Sequence, residues 1–262
     1  MHETTPSVFL IARPSLNLDG LRDYLLDVGG ESWLRRRVEE QQGTPNPGEL
    51  LVEFAGRACY RSWEPGLNPN VTKVRADQHE YFANILRSGH GSVLEHANYS
   101  FALRNCSRVL THELVRHRAG SAFSQESLRY VRLTDIGFRV PPALEPMRGR
   151  VLEIVEQLEE LQAEAASTLG IDGQGVPFHV KKEITSALRR LAPIGLSTDI
   201  VWTANLRTLR HVIEMRTDLG AEEELRLVFD LIAKLMLAEA PGLLQDFTRE
   251  DDGRWVPEQH KV

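Results

Sequence analysis

The sequence predicts a single α+β domain. Two observations carry that prediction. Short apolar or alternating stretches that read as strands cluster before Val140, and amphipathic stretches of helical spacing dominate after it. No internal repeat and no shift in composition divides the 262 residues, a length that at about 150 residues per domain suits one large domain. The domain is therefore taken as residues 1–262, with a charged tail from Arg249 expected to be exposed.

Ser7 to Arg13 (SVFLIAR) is a short apolar run ended by Pro14 and reads as the opening strand. Leu21 to Glu40 has helical spacing, broken by Gly29–Gly30. Gln41 to Gly48 and Pro65 to Asn70 are rich in turn residues and read as loops. Helices are predicted over Glu49 to Tyr60 and Ala76 to Arg87, the second with Tyr81, Phe82 and Ile85 on its apolar stripe. Tyr99, Phe101 and Leu103 alternate with Ser100 and Ala102, the period of a half-buried strand.

Asn105 to His117 returns to helical spacing, with Val109, Leu110, Leu114 and His117 on one side. Ala119 to Glu126 is small and polar and reads as a loop. Arg129 to Leu133 and Phe138 to Val140 read as strands. Arg148 to Leu169 repeats Val151, Leu152, Val155, Leu158 and Leu161 at helical spacing until Gly170. Further helices are predicted over Phe178 to Leu191, Asp199 to Arg216 and Ala221 to Ala240, closed by Pro193, Gly220 and Pro241–Gly242.

Hydrophobic residues are 42% and charged residues 26%, which excludes a wholly disordered chain. The apolar runs fall well short of the roughly 18 residues of a membrane span, and Met1 to Arg13 lacks the basic stretch of a secretory signal. Cys59 and Cys106 cannot build a disulfide framework and fit a reducing, cytoplasmic setting. A net charge of −6 argues against bulk attraction to nucleic acid or anionic lipid, so any anion must be held by a local cluster.

Such a cluster exists. Arg116, His117, Arg118 and Arg129 lie within fourteen residues, with Arg104 and Arg108 ahead of them. Guanidinium is the side chain best shaped for phosphate, and Ser121, Ser124, Gln125 and Ser127 add neutral donors. The plain alternative is a solvated face paired to surface glutamates. A second cluster (NLRTLRHVIEMR) sets Asn205, Leu209, Val212 and Arg216 on one helical face and Arg207 beside His211. Glu214 there can simply pair with Arg210. In HGSVLEH, His90, Glu95 and His96 lack the spacing of a helical zinc pair, so no metal is assigned. Both cysteines fall on elements that read as buried and are taken as structural. There is no dinucleotide-binding glycine turn, Walker lysine loop or nucleophile elbow.

RHRAGSAFSQESLRY resembles the signature of the flavin-dependent thymidylate synthases, an R-H-R followed after seven or eight residues by S-x-R-Y, with eight residues here between Arg118 and Ser127. HGSVLEH, the Cys59–Tyr60 pair, Arg189 ahead of Pro193, and NLRTLRHVIEMR resemble further segments of that family, in the same order. The resemblance implies a central mixed or antiparallel sheet flanked by helices, and a homotetramer with flavin at subunit interfaces. It implies reductive methylation of uracil C5 in dUMP, with methylenetetrahydrofolate as one-carbon donor, NADPH as reductant and FAD as cofactor. It implies that His90, Ser92, Arg116, His117, Arg118, Gln125, Asn205, Arg207 and His211 contact FAD. Glu113, Arg116, Gln125, Ser127, Arg129, Arg189 and Arg216 would hold the nucleotide, with Arg216 stabilising charge on the uracil and no protein nucleophile required.

Three departures stand out. The substrate loop is the longer form, AGSA is small, and Gly220 replaces a histidine common in the family. A wider sugar site would admit UMP beside dUMP. Two rival readings remain: a nucleic-acid-binding module using the arginine loop, and a catalytically silent flavin-binding homologue.

Overall fold

The computed structural model describes residues 1–40 and 46–262. A two-residue β1 (His2–Glu3) precedes β2 (Ser7–Ala12), the predicted opening strand. The glycine pair divides α1 (Leu18–Val28) from α2 (Glu31–Val38), Gly29 closing α1 at φ 76°. Of the loop read over Gln41 to Gly48, the part up to Pro45 lies outside the described residues. Asn46 to Gly48 instead start α3 (Pro47–Tyr60), because Asn46 Oδ1 accepts from the Glu49 N–H at 3.0 Å and Pro47 suits a first turn. Asp77 caps α4 (Gln78–Arg87), whose Tyr81, Phe82 and Ile85 are buried as predicted.

Tyr99, Phe101 and Leu103 are fully buried in β3 (Asn98–Ser107). The helix read over Asn105 to His117 contracts to α5 (Arg108–Leu114). Asn105 takes a left-handed φ of 57°, forms a bulge and donates its N–H to Asp199 Oδ1 at 3.0 Å, which keeps the chain in the sheet. Ser107 then caps α5 by accepting from the Leu110 N–H at 3.1 Å. The loop expected over Ala119 to Glu126 contains β4 (Ser121–Gln125), an edge strand. Its small residues pair along a neighbour, so ladder bonds outweigh weak intrinsic propensity.

The strand read over Arg129 to Leu133 is a turn, tied by the Tyr130 and Val131 N–H groups to the Ser127 carbonyl, both at 3.0 Å. Of the strand read over Phe138 to Val140 only Phe138 is strand, in the two-residue β5 (Gly137–Phe138). In α6 (Arg148–Thr168) Val155 is buried but Leu161 is 41% exposed; Gln162 takes the inner position and donates to the Leu188 carbonyl of α7 (Phe178–Leu188) at 2.9 Å.

The largest correction falls on Asp199 to Arg216. Its first part is a strand, β6 (Ser197–Asn205), and only α8 (Leu206–Thr217) is helical. Thr198, Ile200, Trp202 and Ala204 point inward with 3% exposure or less, a period of two that the following helical spacing masks. After α9 (Glu223–Glu239), the tail expected to be exposed forms a hairpin of β7 (Phe247–Arg249) and β8 (Trp255–Pro257). Trp255 is buried, and its Nε1–H donates to Asp230 Oδ1 at 3.0 Å.

The main sheet runs β2-β3-β6-β4, antiparallel throughout, with Leu103 opposite Ile200 and Phe101 opposite Trp202. β1 and β5 form a separate parallel pair. The fold is α+β, as the sequence predicts. One sheet face packs on helices, with Trp202 edge-on to Phe229 of α9 at 5.5 Å. The other carries the cross-strand row Phe9, Ala102, Val201 and Ser124, where Phe9 is 51% and Val201 39% exposed. No helix among the described residues is long and apolar enough to cross a membrane.

Candidate functional site

The sheet brings the two arginine motifs together. α5 ends in a tight turn carrying Arg116, His117 and Arg118, with the His117 N–H on the Leu114 carbonyl at 3.1 Å. The chain then reverses at Gly120, φ 67°, whose carbonyl accepts the Asn205 N–H at 3.0 Å. The Thr208 hydroxyl donates to the Ala119 carbonyl at 2.8 Å. A Cβ at residue 120 would collide with the Asn205 amide and the Thr208 hydroxyl, so glycine is required by both φ and space. The arginine turn is thereby stapled to the start of α8.

Asn205 caps α8, its Oδ1 accepting from the Thr208 N–H at 2.9 Å. Arg207 pairs with Glu95 at 2.7 Å, and the His211 ring lies 6.3 Å from that of His117. Arg216 donates through Nε to His117 Nε2 and through Nη1 to Glu113, each at 2.8 Å. The expected Glu214–Arg210 pair does not form. Arg210 turns inward to Asp246 through bonds of 2.7 and 2.8 Å, and Glu214 meets His260 at 2.5 Å.

Burial, then the positive charges of Arg216, and the neighbouring His211 and Arg116, push His117 down to about 4. It is neutral at pH 7 and accepts from Arg216, which places its ring proton on Nδ1. Arg116 and Arg118 are exposed, and among the described residues neither pairs with a carboxylate. Together with Asn205, Arg207, His211 and Glu95 they line an open cleft of about 660 Å³.

A second groove, of about 510 Å³, gathers Gln125, Ser127 and Arg189 with Arg108 and Arg190. Arg108 donates to the Glu126 carbonyl at 2.9 Å, but its buried Nε has no partner. Burial lowers its pKa, opposed by Glu126 and reinforced by Arg189. Gln125, which lines this groove, donates to the buried Thr111 hydroxyl at 2.9 Å. Arg129 lies apart, beside the stacked Tyr130 and Phe178.

His90 packs edge-on against Tyr60 at 5.7 Å and Ser92 is exposed; neither lines the cleft within one chain. Glu95, from the same turn (Gly91–His96), does. Cys59 is exposed, where a buried position was expected, and Cys106 is buried, with its thiol pushed up by burial; both are free. Among the described residues no cluster of three or more His, Cys, Asp or Glu could hold a metal.

Arg108, Glu95 and His260 also line the groove or the cleft, and none is among the residues that the resemblance assigns to a ligand. Arg108 opens the helix that leads to the arginine turn, and that position was its available signal. Glu95 was legible only as a metal candidate, and His260 carried no local signal.

A family model described as "Thymidylate synthase complementing protein" matches residues 42–242. The chain is 38% identical over 205 residues to the flavin-dependent thymidylate synthase of Mycobacterium tuberculosis, covering 76% of this chain and 80% of the relative. It is 36% identical over 217 residues to that of Mycolicibacterium gilvum, with the same coverage. The match spans both arginine motifs and the strand that joins them, and the chain belongs to the flavin-dependent thymidylate synthases, a family of methyltransferases.

Proposed function

We propose that the enzyme methylates uracil C5 reductively, converting dUMP to dTMP with methylenetetrahydrofolate, NADPH and bound FAD. One observation carries this reading: there are two separate arginine sites whose guanidiniums form no carboxylate pair among the described residues, Arg116 and Arg118 in the cleft, and Arg189 and Arg190 beside the orphaned Arg108 Nε in the groove, where Glu126 is the one acidic neighbour among the lining residues. A flavin dinucleotide brings a diphosphate and the substrate a monophosphate. The donor set therefore fits both groups. Asn205, Arg207 and His211 would hold the flavin with Arg116, His117 and Arg118; Gln125, Ser127 and Arg189 would hold the nucleotide.

When bound, the flavin supplies the hydride that completes the methyl group. The chain's own task is to polarise uracil. Glu113 and neutral His117 fix the Arg216 guanidinium through Nη1 and Nε, while Nη2 has only a 3.5 Å contact to the Glu113 carbonyl. Nη2 is thus the edge that would stabilise negative charge on the ring and push density toward C5. No thiol is assigned a role: Cys106 is buried, and the exposed Cys59 lines neither the cleft nor the groove.

Copies would assemble as a homotetramer in the cytoplasm. His90 and Ser92 lie outside the cleft of one chain and Arg129 outside its groove, so a second copy would bring the first two to the flavin and Arg129 to the nucleotide. The exposed row on the open sheet face offers a surface for that contact. Light scattering of the purified protein tests the assembly.

UMP is proposed as a second acceptor because Ala119, Gly120, Ser121 and Ala122, which lead from the cleft along the strand that carries the nucleotide residue Gln125, are small. Their backbone is held by α8 and β6, so the extra room would come from side-chain size rather than from a loose loop. The experiment is anaerobic turnover with FAD, NADPH, methylenetetrahydrofolate and equal dUMP and UMP, read by mass spectrometry. Methylated dUMP is the expected product; flavin binding without methylation of either nucleotide overturns the reading. Methylated dUMP alone removes UMP from it.

A further inference from the structure

The family model ends at residue 242, yet the chain beyond it returns to the cleft. Asp246 is the anchor. Its carboxylate takes the two bonds from Arg210 and accepts the Gln259 N–H at 3.1 Å, and its carbonyl accepts the Glu258 N–H at 2.9 Å. The side chains of Arg210 and Asp246 are only 4% and 6% exposed, so this clasp is shielded from water. Beyond it Gln259, His260 and Val262 line the cleft. His260 and Glu214 also border the shallower groove that contains Arg216, and so form the ridge between the two.

We propose that His260, oriented by Glu214, is a binding residue of the flavin cleft. The proposal rests on reading that cleft as the flavin site. The cleft is rich in donors: Arg116, Arg118, Arg207 and the Asn205 amide. These suit phosphate oxygens, but a flavin dinucleotide also carries hydroxyl and imide N–H groups that need acceptors. Glu95 is already engaged by Arg207. With its Nδ1–H donating to the Glu214 carboxylate, His260 keeps a lone pair on Nε2, which makes no hydrogen bond among the described residues. That lone pair is an acceptor for a ligand O–H or N–H.

The test is titration of the full-length apoprotein with FAD, followed by flavin fluorescence, for His260→Ala, for removal of residues 260–262, and for Arg118→Ala. Removal of 260–262 leaves the Gln259 link to Asp246 in place. Both tail variants should bind FAD about three- to tenfold more weakly, the scale of one neutral hydrogen bond; the unfolding temperature should be unchanged in His260→Ala and lower in the truncation, which also removes Val262 from the edge of the main core. Weakened binding by Arg118→Ala together with unchanged affinity in either tail variant overturns the role of His260. Unchanged affinity in Arg118→Ala overturns the flavin reading of the cleft, and the proposal with it.

Discussion

Arginine has opposite fates in two parts of this molecule. Around α3, Glu53 is fully buried and accepts from Arg37, Arg57, Trp33 and Gln78 at 2.8 to 2.9 Å. The two Nη atoms of Arg57 donate to the Ser62 and Arg75 carbonyls, and Arg37 Nη2 donates to that of Ala76 as well. In the cleft and groove, Arg116, Arg118, Arg189 and Arg190 pair with no carboxylate among the described residues. The difference teaches what an arginine is for. One whose donors are spent on buried acceptors fixes the fold; one left unspent beside others of its charge awaits an anion.

The sharpest way to break the comparison is Glu53→Ala. It leaves Arg37 and Arg57 facing an apolar gap, and about 3–5 kcal/mol of stability should be lost in urea denaturation. FAD affinity of the folded fraction should not change. Burial alone would raise the Glu53 pKa, but the Arg37 hydrogen bond and the charges of Arg57 and Arg37 outweigh it and hold the carboxyl below its usual range. Its contribution is therefore present above the unfolded carboxylate pKa and lost as pH falls through the lower folded value.

Arg118→Ala tests the other side. Stability should stay within about 0.5 kcal/mol, as for an exposed substitution. FAD binding should weaken by about 1.5–3 kcal/mol, the range of a charge-assisted hydrogen bond. Arg189→Ala should raise the KM for dUMP and leave FAD affinity alone. A loss of stability in either variant without a loss of ligand would place these arginines with Arg57.

The sequence displayed both arginine clusters but not this division between them. Charge is local and legible; its partner is not. Arg210 has Glu214 four residues on, yet it pairs with Asp246 across the fold. Most helices were legible because their apolar spacing repeats over several turns, as in α6 and α9. β6 was not, because its inward residues Ile200 and Trp202 run without a breaker into the stripe of α8, with Asn205 serving as both the last strand residue and the helix cap. β4 was missed because its strand character comes from pairing with β6. The same long-range pairing hid the groove, which assembles Arg108, Gln125 and Arg189 from separate elements.

Gly120→Ala probes the staple that presents the cleft arginines. A left-handed φ of 67° costs a non-glycine residue about 1–2 kcal/mol, and the added methyl meets Asn205 and Thr208. The expected outcome is a loss of that order in urea denaturation accompanied by weaker FAD binding, since the turn holding Arg116 and Arg118 must shift. Unchanged FAD affinity would show that the staple and the arginines are independent.

The smallest effect separates the two regions by their response to acid. His117 joins them in kind: it is half-buried, between fully buried Glu53 and the exposed cleft arginines, and is bordered by cleft cations. Burial first, then Arg216, His211 and Arg116, lower its pKa to about 4. Between its ordinary value of 6.5 and about 4, the unfolded chain takes up a proton that the folded chain refuses. Stability linked to His117 is thus complete above 6.5 and declines as pH falls through that window, starting earlier than the Glu53 loss, which sets in near the unfolded carboxylate value of 4.5. The ring C–H signals of His117 should show no titration from pH 7 to 5.5. Arg216→Gln should move the midpoint upward but short of 6.5, because burial remains. A midpoint near 6.5 in the unmodified protein would mean that His117 takes up a second ring proton at mild acidity. It could not then accept from Arg216 there, and Glu113 alone would orient the guanidinium assigned to uracil.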